Sequence, residues 1–148
     1  KGEVETSFFQ NIGSKGGGDG IDSSGSEIVV SKTQFLNISD KALSVGENSN
    51  MRANEINIKA TDIGVASKDG SRLFLSNSIL TGIKQAGLMA YIKKDEYGPA
   101  EIIAKNLKFN STDQHAVVQK ENKISIDGIE VLPTDLDVEK LYSTSDNL

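Results

Sequence analysis

The residue types able to do chemistry in this chain are few and regularly placed. Asp19 and Asp22 flank a Gly-Ile pair, and Asp40 and Asp62 recur at matching positions one and two repeats later. An acidic strip of this kind could bind calcium or act on a glycosidic bond. The plainer reading is that Asp suits turns and recurs because the turn recurs. Carboxylates stacked at the spacing of neighbouring strands, about 4.8 Å, repel unless something screens or bridges them, which is the argument for calcium. No calcium-loop motif is present, no other cofactor is expected, and without cysteine there is no thiolate metal site. His115 is the only histidine, with Asp113 and Gln114 beside it. It could serve as a general base, but a base needs an orienting partner and a pocket, and a single His at a turn is more often a solvated side chain.

The most distinctive local feature is the segment Lys93-Lys94-Asp95-Glu96-Tyr97-Gly98-Pro99, with Tyr91 just before it. Tyr91 and Tyr97 could stack on sugar rings, and Lys93 and Lys94 could pair with uronate carboxylates. Against this stands an ordinary surface loop ending in Gly-Pro, although loops on rigid scaffolds carry function disproportionately. Arg52 and Arg72 are the only arginines, and their spacing predicts one shared face. Such a pair suits a uronate and is more commonly a solvated surface.

What positions these residues is a repeat. A small residue followed by an aliphatic one recurs as Gly20-Ile21, Ala42-Leu43, Gly64-Val65, Gly87-Leu88 and Ala116-Val117, at spacings of 22, 22, 23 and 29. The long last step is accounted for by the Lys93–Pro99 insertion. A second alternating run reads Ile28-Val29-Val30, Leu73-Phe74-Leu75, Ile102-Ile103 and Ile124-Ser125-Ile126; a third places Phe9, Phe35, Leu80 and Phe109 at matching positions, with Ile56 and Ile58 offset by one. Short alternating runs broken by Gly, Ser, Asn and Asp are strand–turn–strand, and no apolar period of 3.6 persists long enough for a helix. Three short strands per repeat make one triangular coil. Like strands of successive coils pair in parallel, and the crossover rule favours right-handed winding. The prediction is an all-β, right-handed, single-stranded parallel β-helix of about five coils of roughly 22 residues. Ile21, Leu43, Val65, Leu88 and Val117 should form an inward column, a Phe column should fill one corner, and Asn11 over Asn37 should form an amide ladder. Residues 1–132 form the coils; residues 133–148 form a C-terminal cap and tail, with Leu136, Val138, Leu141 and Tyr142 folding over the last coil.

Composition sets bounds. Apolar residues make up 36% and aromatic ones 5% of 148 residues, with no Trp, so the core must be a thin one of Ile, Val, Leu and Ala. A net charge of −5 argues against a nucleic-acid backbone and against an anionic membrane surface, and more weakly against a polyanionic polysaccharide, where a local basic patch could override the net sign. No segment is long and apolar enough to span a bilayer. The absence of cysteine fits an exported bacterial protein, extracellular, at the cell surface or periplasmic. Lys1 is not a Met and the chain opens in the middle of a repeat, so an upstream domain of the same chain is expected.

Gly18-Asp19-Gly20-Ile21-Asp22 followed by Ser24-Gly25-Ser26, together with Phe35-Leu36-Asn37-Ile38-Ser39-Asp40-Lys41-Ala42-Leu43-Ser44-Val45-Gly46-Glu47, resembles the coils of the right-handed parallel β-helix superfamily. That superfamily includes pectate lyases, polygalacturonases and alginate epimerases, and the resemblance runs from about Val4 to Leu132. It is also similar to β-helical C-terminal segments of larger bacterial surface proteins. Of the activities it implies, the lyases need calcium-binding carboxylates with a basic proton abstractor, and the polygalacturonases need three clustered Asp and a His-Gly motif. Neither set is complete here, and a fold alone does not license an activity. The expected function is therefore a non-catalytic β-helix module that binds carbohydrate or serves as a rigid surface spacer. The alternative is a fragment of a polysaccharide lyase, glycoside hydrolase or uronate epimerase whose catalytic coils lie upstream. A polysaccharide is the expected partner.

Overall fold

The computed structural model describes residues 1–14 and 17–146, with side chains to Ser143. The strands are β1 (Gly2–Glu5), β2 (Phe8–Ile12), β3 (Ile21–Ser24), β4 (Glu27–Gly46), β5 (Asn50–Lys68), β6 (Arg72–Thr81), β7 (Ala86–Tyr91), β8 (Glu101–Asn110), β9 (Ala116–Val118), β10 (Lys123–Ile126) and β11 (Ile129–Glu130), followed by helix α1 (Val138–Asp146). Among the described residues the named strands all pair in parallel except in the terminal β10–β11 hairpin. β4 and β5 each run through a whole coil, and the others divide theirs at the corners. The fold is a parallel β-helix of about five turns.

Three faces follow from the register. Face A stacks Ile28, Met51, Leu73, Ile102 and Ile124. Face B stacks Phe9, Phe35, Ile58, Leu80 and Phe109. Face C stacks Ile21, Leu43, Val65, Leu88 and Ala116. Together these columns line a single core running along the axis. Each coil contributes only a few aliphatic side chains and buries them against the coils above and below, which is how so apolar-poor a chain builds an interior.

Two columns differ from the sequence expectation. Ile58 stands in register with Phe35 and Leu80, not offset from them. On face C the fifth member is Ala116; Val117 pairs with Met89 and belongs to a separate cluster on the outer side. The physical reason lies in the small residue of each earlier coil. A Cβ at Gly20 would come within 2.7 Å of the Phe35 ring, one at Gly64 within 2.7 Å of Leu80, and one at Gly87 within 2.6 Å of Phe109. Each of these three glycines is thus demanded by the face B side chain of the next coil. The last coil of the chain has no such successor, so His115 can occupy the position of Gly87 and stack on Phe109, with ring centroids 4.2 Å apart and planes at 9°.

Corners are made by residues in the left-handed region. Thr6, Lys32, Glu55, Asn77 and Asn106 turn face A into face B; Asn11, Asn37, Ala60, Gly82 and Ser111 turn face B into face C; Asp127 and Gly128, also at positive φ, make the β10–β11 hairpin turn. Asn tolerates this conformation best among non-glycine residues. Its amides also bond along the axis: Asn37 donates to Asn11 Oδ1 at 2.9 Å, as expected, and Asn106 donates to Asn77 Oδ1 at 2.8 Å.

The C-terminal tail is placed differently from the expectation. Leu136, Val138, Leu141 and Tyr142 do not lie over the last coil. They pack sideways on outer face C, against Ile63, Ala66, Ala86, Met89, Tyr91 and Val117. The reason is visible in those residues: outward positions of coils three to five are apolar there and need cover. Beyond β10, the last coil is met by β11, by Val131 packing on the core and by a parallel bridge from Gln119 to Thr134.

Candidate binding site

The inserted loop is a buttress as much as a projection. Asp69, 1% exposed, accepts the backbone N–H groups of both Lys93 and Lys94 on one oxygen, each at 2.7 Å. Asp95–Tyr97 forms a short 3-10 turn, and Gly70 N–H donates to Gly98 O at 2.8 Å. Gly70 has φ +71°, and a Cβ there would lie 2.5 Å from the Tyr97 carbonyl, so the close seat of the loop requires glycine.

The loop's side chains are held rather than gathered. The Lys94 ammonium pairs with Glu47, which also accepts the Ser24 hydroxyl. These two hydrogen bonds hold the Glu47 carboxyl below the usual range, and the bond to Glu47 raises Lys94. The Lys93 ammonium sits 3.9 Å from the Tyr142 ring centroid. Tyr97 is half-buried beside the corner. Tyr91 is not a surface platform: it is 0% exposed beneath Tyr142, hydroxyl to hydroxyl at 2.6 Å. Burial, then the Tyr142 phenol, push the Tyr91 hydroxyl well above the ordinary range. Strand alternation correctly points Tyr91 outward; α1, some fifty residues later, covers it. Tyr91, Tyr97, Lys93 and Lys94 therefore do not form one surface.

The acidic strip is interrupted by a lysine. Asp40 stands at a register shift between β4 and β5, near enough for its charge to help raise Asp62, and Lys41 bonds Asp40 at 2.7 Å and reaches Asp19 at 3.9 Å. Burial tends to lower Lys41, but Asp19 and Asp40 together outweigh it and raise it. Burial likewise raises Asp19 in spite of the Lys41 charge. Asp62 accepts from Gln85 Nε2 at 2.6 Å and is raised, chiefly by burial. Asp22 points outward and is exposed. An ammonium thus stands where the stacked carboxylates invited a cation. Among the described residues no three His, Asp or Glu are placed to hold a metal ion. His115 stands exposed on Phe109, and the structure gives it no hydrogen bond from Asp113 or Gln114.

An open feature lies on outer face A, where two outward columns run along the axis: Glu27, Asn50, Arg72, Glu101 and Lys123, and beside it Val29, Arg52, Phe74, Ile103 and Ser125. A hollow of about 420 Å³ is lined by Lys1, Glu27, Val29, Asn50, Arg52, Arg72 and Phe74, among others. A second of about 390 Å³, lined by Asn50, Arg72, Pro99, Glu101, Glu121 and Lys123, among others, shares Asn50 and Arg72 with it, so the two make one groove crossing several coils. Arg52 and Arg72 share this face, as their spacing predicts. The Arg52 guanidinium lies 4.7 Å over the Phe74 ring and forms no ion pair among the described residues, whereas Arg72 Nε bonds Glu101 at 2.9 Å. Sequence reasoning found the arginines but missed Phe74 as their partner; the one-residue alternation of Leu73-Phe74-Leu75, which points Phe74 outward, was the signal.

The fold and this groove define the chain as a parallel β-helix with an open, mixed-charge groove along one face. Comparison with protein-family models, curated proteins and solved structures finds no match. No helix among the described residues is long and apolar enough to cross a membrane.

Proposed function

We propose that this chain is a non-catalytic β-helix module of an exported bacterial protein, at or beyond the cell surface, that binds an extended acidic polysaccharide along the face A groove. The observation that carries this reading is Arg52: a guanidinium pre-oriented on the Phe74 ring, with no carboxylate of its own, in a groove several coils long. Stacking fixes the plane and leaves the N–H edge free for a bidentate carboxylate, the geometry in which Arg differs most from Lys. Asn50, Glu27 and Glu101 add acceptors and donors for hydroxyls along the same line. An extended polymer with regularly spaced groups suits a scaffold whose own side chains repeat at the strand spacing of about 4.8 Å.

The test is calorimetry with polygalacturonate, alginate and a neutral glucan. An open groove of this kind should bind an acidic polymer with a dissociation constant on the order of 0.1–1 mM per site. Arg52→Ala should weaken it about ten-fold, the worth of one charge-assisted hydrogen bond. Equal binding of the neutral glucan, or full binding by Arg52→Ala, would refute the groove. No binding to any polymer would favour the rigid spacer. Shortened, unsaturated or epimerised product would favour the enzyme fragment.

A further inference from the structure

Across the corner from the groove, on face C, lies a smaller and differently built hollow. It encloses about 150 Å³ and is lined by Asp22, Ser24, Glu47, Lys68, Lys93 and Lys94, among others. It exists because position 46 is Gly. The Lys68 stem crosses that residue towards the first coil, and a Cβ there would lie 2.9 Å from Lys68 Cε and 3.3 Å from Cγ.

The charges around this hollow do not all have partners. Glu47 is taken by Lys94 and Ser24, and Asp69 by two backbone N–H groups. Lys41, on the same face, is taken by Asp40 and Asp19. Among the described residues the Lys93 ammonium has only the Tyr142 ring, and Asp22 stands exposed on the rim. Lys68, half-buried, has neither an ion pair nor a hydrogen-bond acceptor among the described residues. A partly desolvated ammonium without a counter-charge is costly, and Lys41 and Lys93 add like-charge repulsion. In agreement, burial first and Lys41 next lower the Lys68 pKa, against the opposing pull of Asp22 and Asp19.

We infer that this hollow binds a small hydroxylated carboxylate, a single-ring sugar acid, with its carboxylate between Lys68 and Lys93 and a hydroxyl donating to Asp22. The room is of the order of one sugar ring. A carboxylate supplies the charge that Lys68 lacks. Asp22 and Glu47 on the rim discriminate against a compact, highly charged anion such as phosphate, which brings charge but few donors, and favour a ligand whose hydroxyls can donate to them. This assignment rests on face C alone and is independent of the groove.

The test uses the full chain with its lysine side-chain NMR signals assigned. Sodium D-glucuronate, D-glucose and inorganic phosphate are titrated separately at constant ionic strength. Glucuronate should shift the Lys68 and Lys93 signals saturably, glucose should not, and phosphate should bind more weakly. Lys68→Met, which keeps the stem across Gly46, should weaken glucuronate about ten-fold or more, the worth of a charge-assisted hydrogen bond. Arg52→Ala should leave it unchanged. Asp22→Asn, at an exposed position, should narrow the preference for glucuronate over phosphate. No saturable shift in the parent chain, undiminished binding in Lys68→Met, or phosphate binding as tightly as glucuronate would each overturn the assignment.

Discussion

Replacing Phe35 with Ala removes a ring that is 1% exposed and held from two sides. On one side it stacks on Phe9, with centroids 5.0 Å apart and planes at 10°. On the other, Ile58 follows it in register, and the ring edge fits against Gly20 of the preceding coil. Core Phe→Ala changes cost about 3–5 kcal/mol. With a denaturant slope of about 2 kcal/mol per molar urea, a loss of about 4 kcal/mol moves the midpoint by about 2 M. Phe109 is half-buried and covered on one face only by His115, so Phe109→Ala should cost less, about 2 kcal/mol. Because coils contact only their neighbours, hydrogen exchange in the Phe35 variant should speed up first in β1 to β4, while β8 and β9 keep their protection. Circular dichroism with urea and exchange mass spectrometry measure both quantities. An unchanged midpoint, or a Phe109 variant hit as hard as Phe35, would refute the stacked-column account.

Asn77→Ala loses amide bonds to Asn54 and Asn106 and forces Ala to φ near +51°, so it should cost about 1–2 kcal/mol in urea denaturation; Asn77→Gly, free of the backbone penalty, should cost less. Asp69→Ala orphans two backbone N–H groups, so amide exchange over residues 92–99 should accelerate, with Asp69→Asn recovering part of the protection through its remaining carbonyl oxygen. Lys68 carries a folded-state pKa below the ordinary 10.5, so its charge opposes folding below that lowered value, and the penalty fades as pH rises towards 10.5. Lys68→Met should therefore be more stable than the parent at neutral pH without ligand, the gain shrinking in alkaline buffer; a loss of stability at pH 7 would refute the unpaired charge. Lys41 has the opposite sign: its stabilisation is complete below 10.5 and should be lost as pH rises through its higher folded value, as thermal melts above that pH would read.

The inward columns were legible because their residue types must repeat. An aliphatic at Leu43, Val65 and Leu88, or an Asn at the left-handed corners 11 and 37, is fixed by contact with its own counterpart one coil away. Legibility failed where that constraint was hidden. Coil three turns its corners on Glu55 and Ala60, residues that do not announce a turn, so Ile58 read as offset. Ala116 was displaced by one because the last small residue had no following side chain to accommodate, and His115 took its place. The outward residues were harder still. Alternation gives the direction of Tyr91, Lys68 and Phe74 but not what covers or partners them. Those partners, Tyr142, Gly46 and Arg52, lie 51, 22 and 22 residues away by position in the chain.

This separation also explains why the insertion sits where it does. Inner columns admit no extra residues without breaking the stack, so a coil can grow only at a corner. The corner from face C to face A takes Lys93–Pro99, and its two sides then differ: Lys93 and Lys94 rim the small hollow, and Pro99 walls the end of the groove. One insertion, seated on the buried Asp69 carboxylate, thereby shapes two surfaces while leaving the registers from β6 to β8 and from β7 to β9 intact. Face C is closed further by α1, and face A is not. On the proposed reading, an extended ligand would take the open face, where the groove follows the axis, and a compact one the corner, where the Lys68 charge has no partner among the described residues.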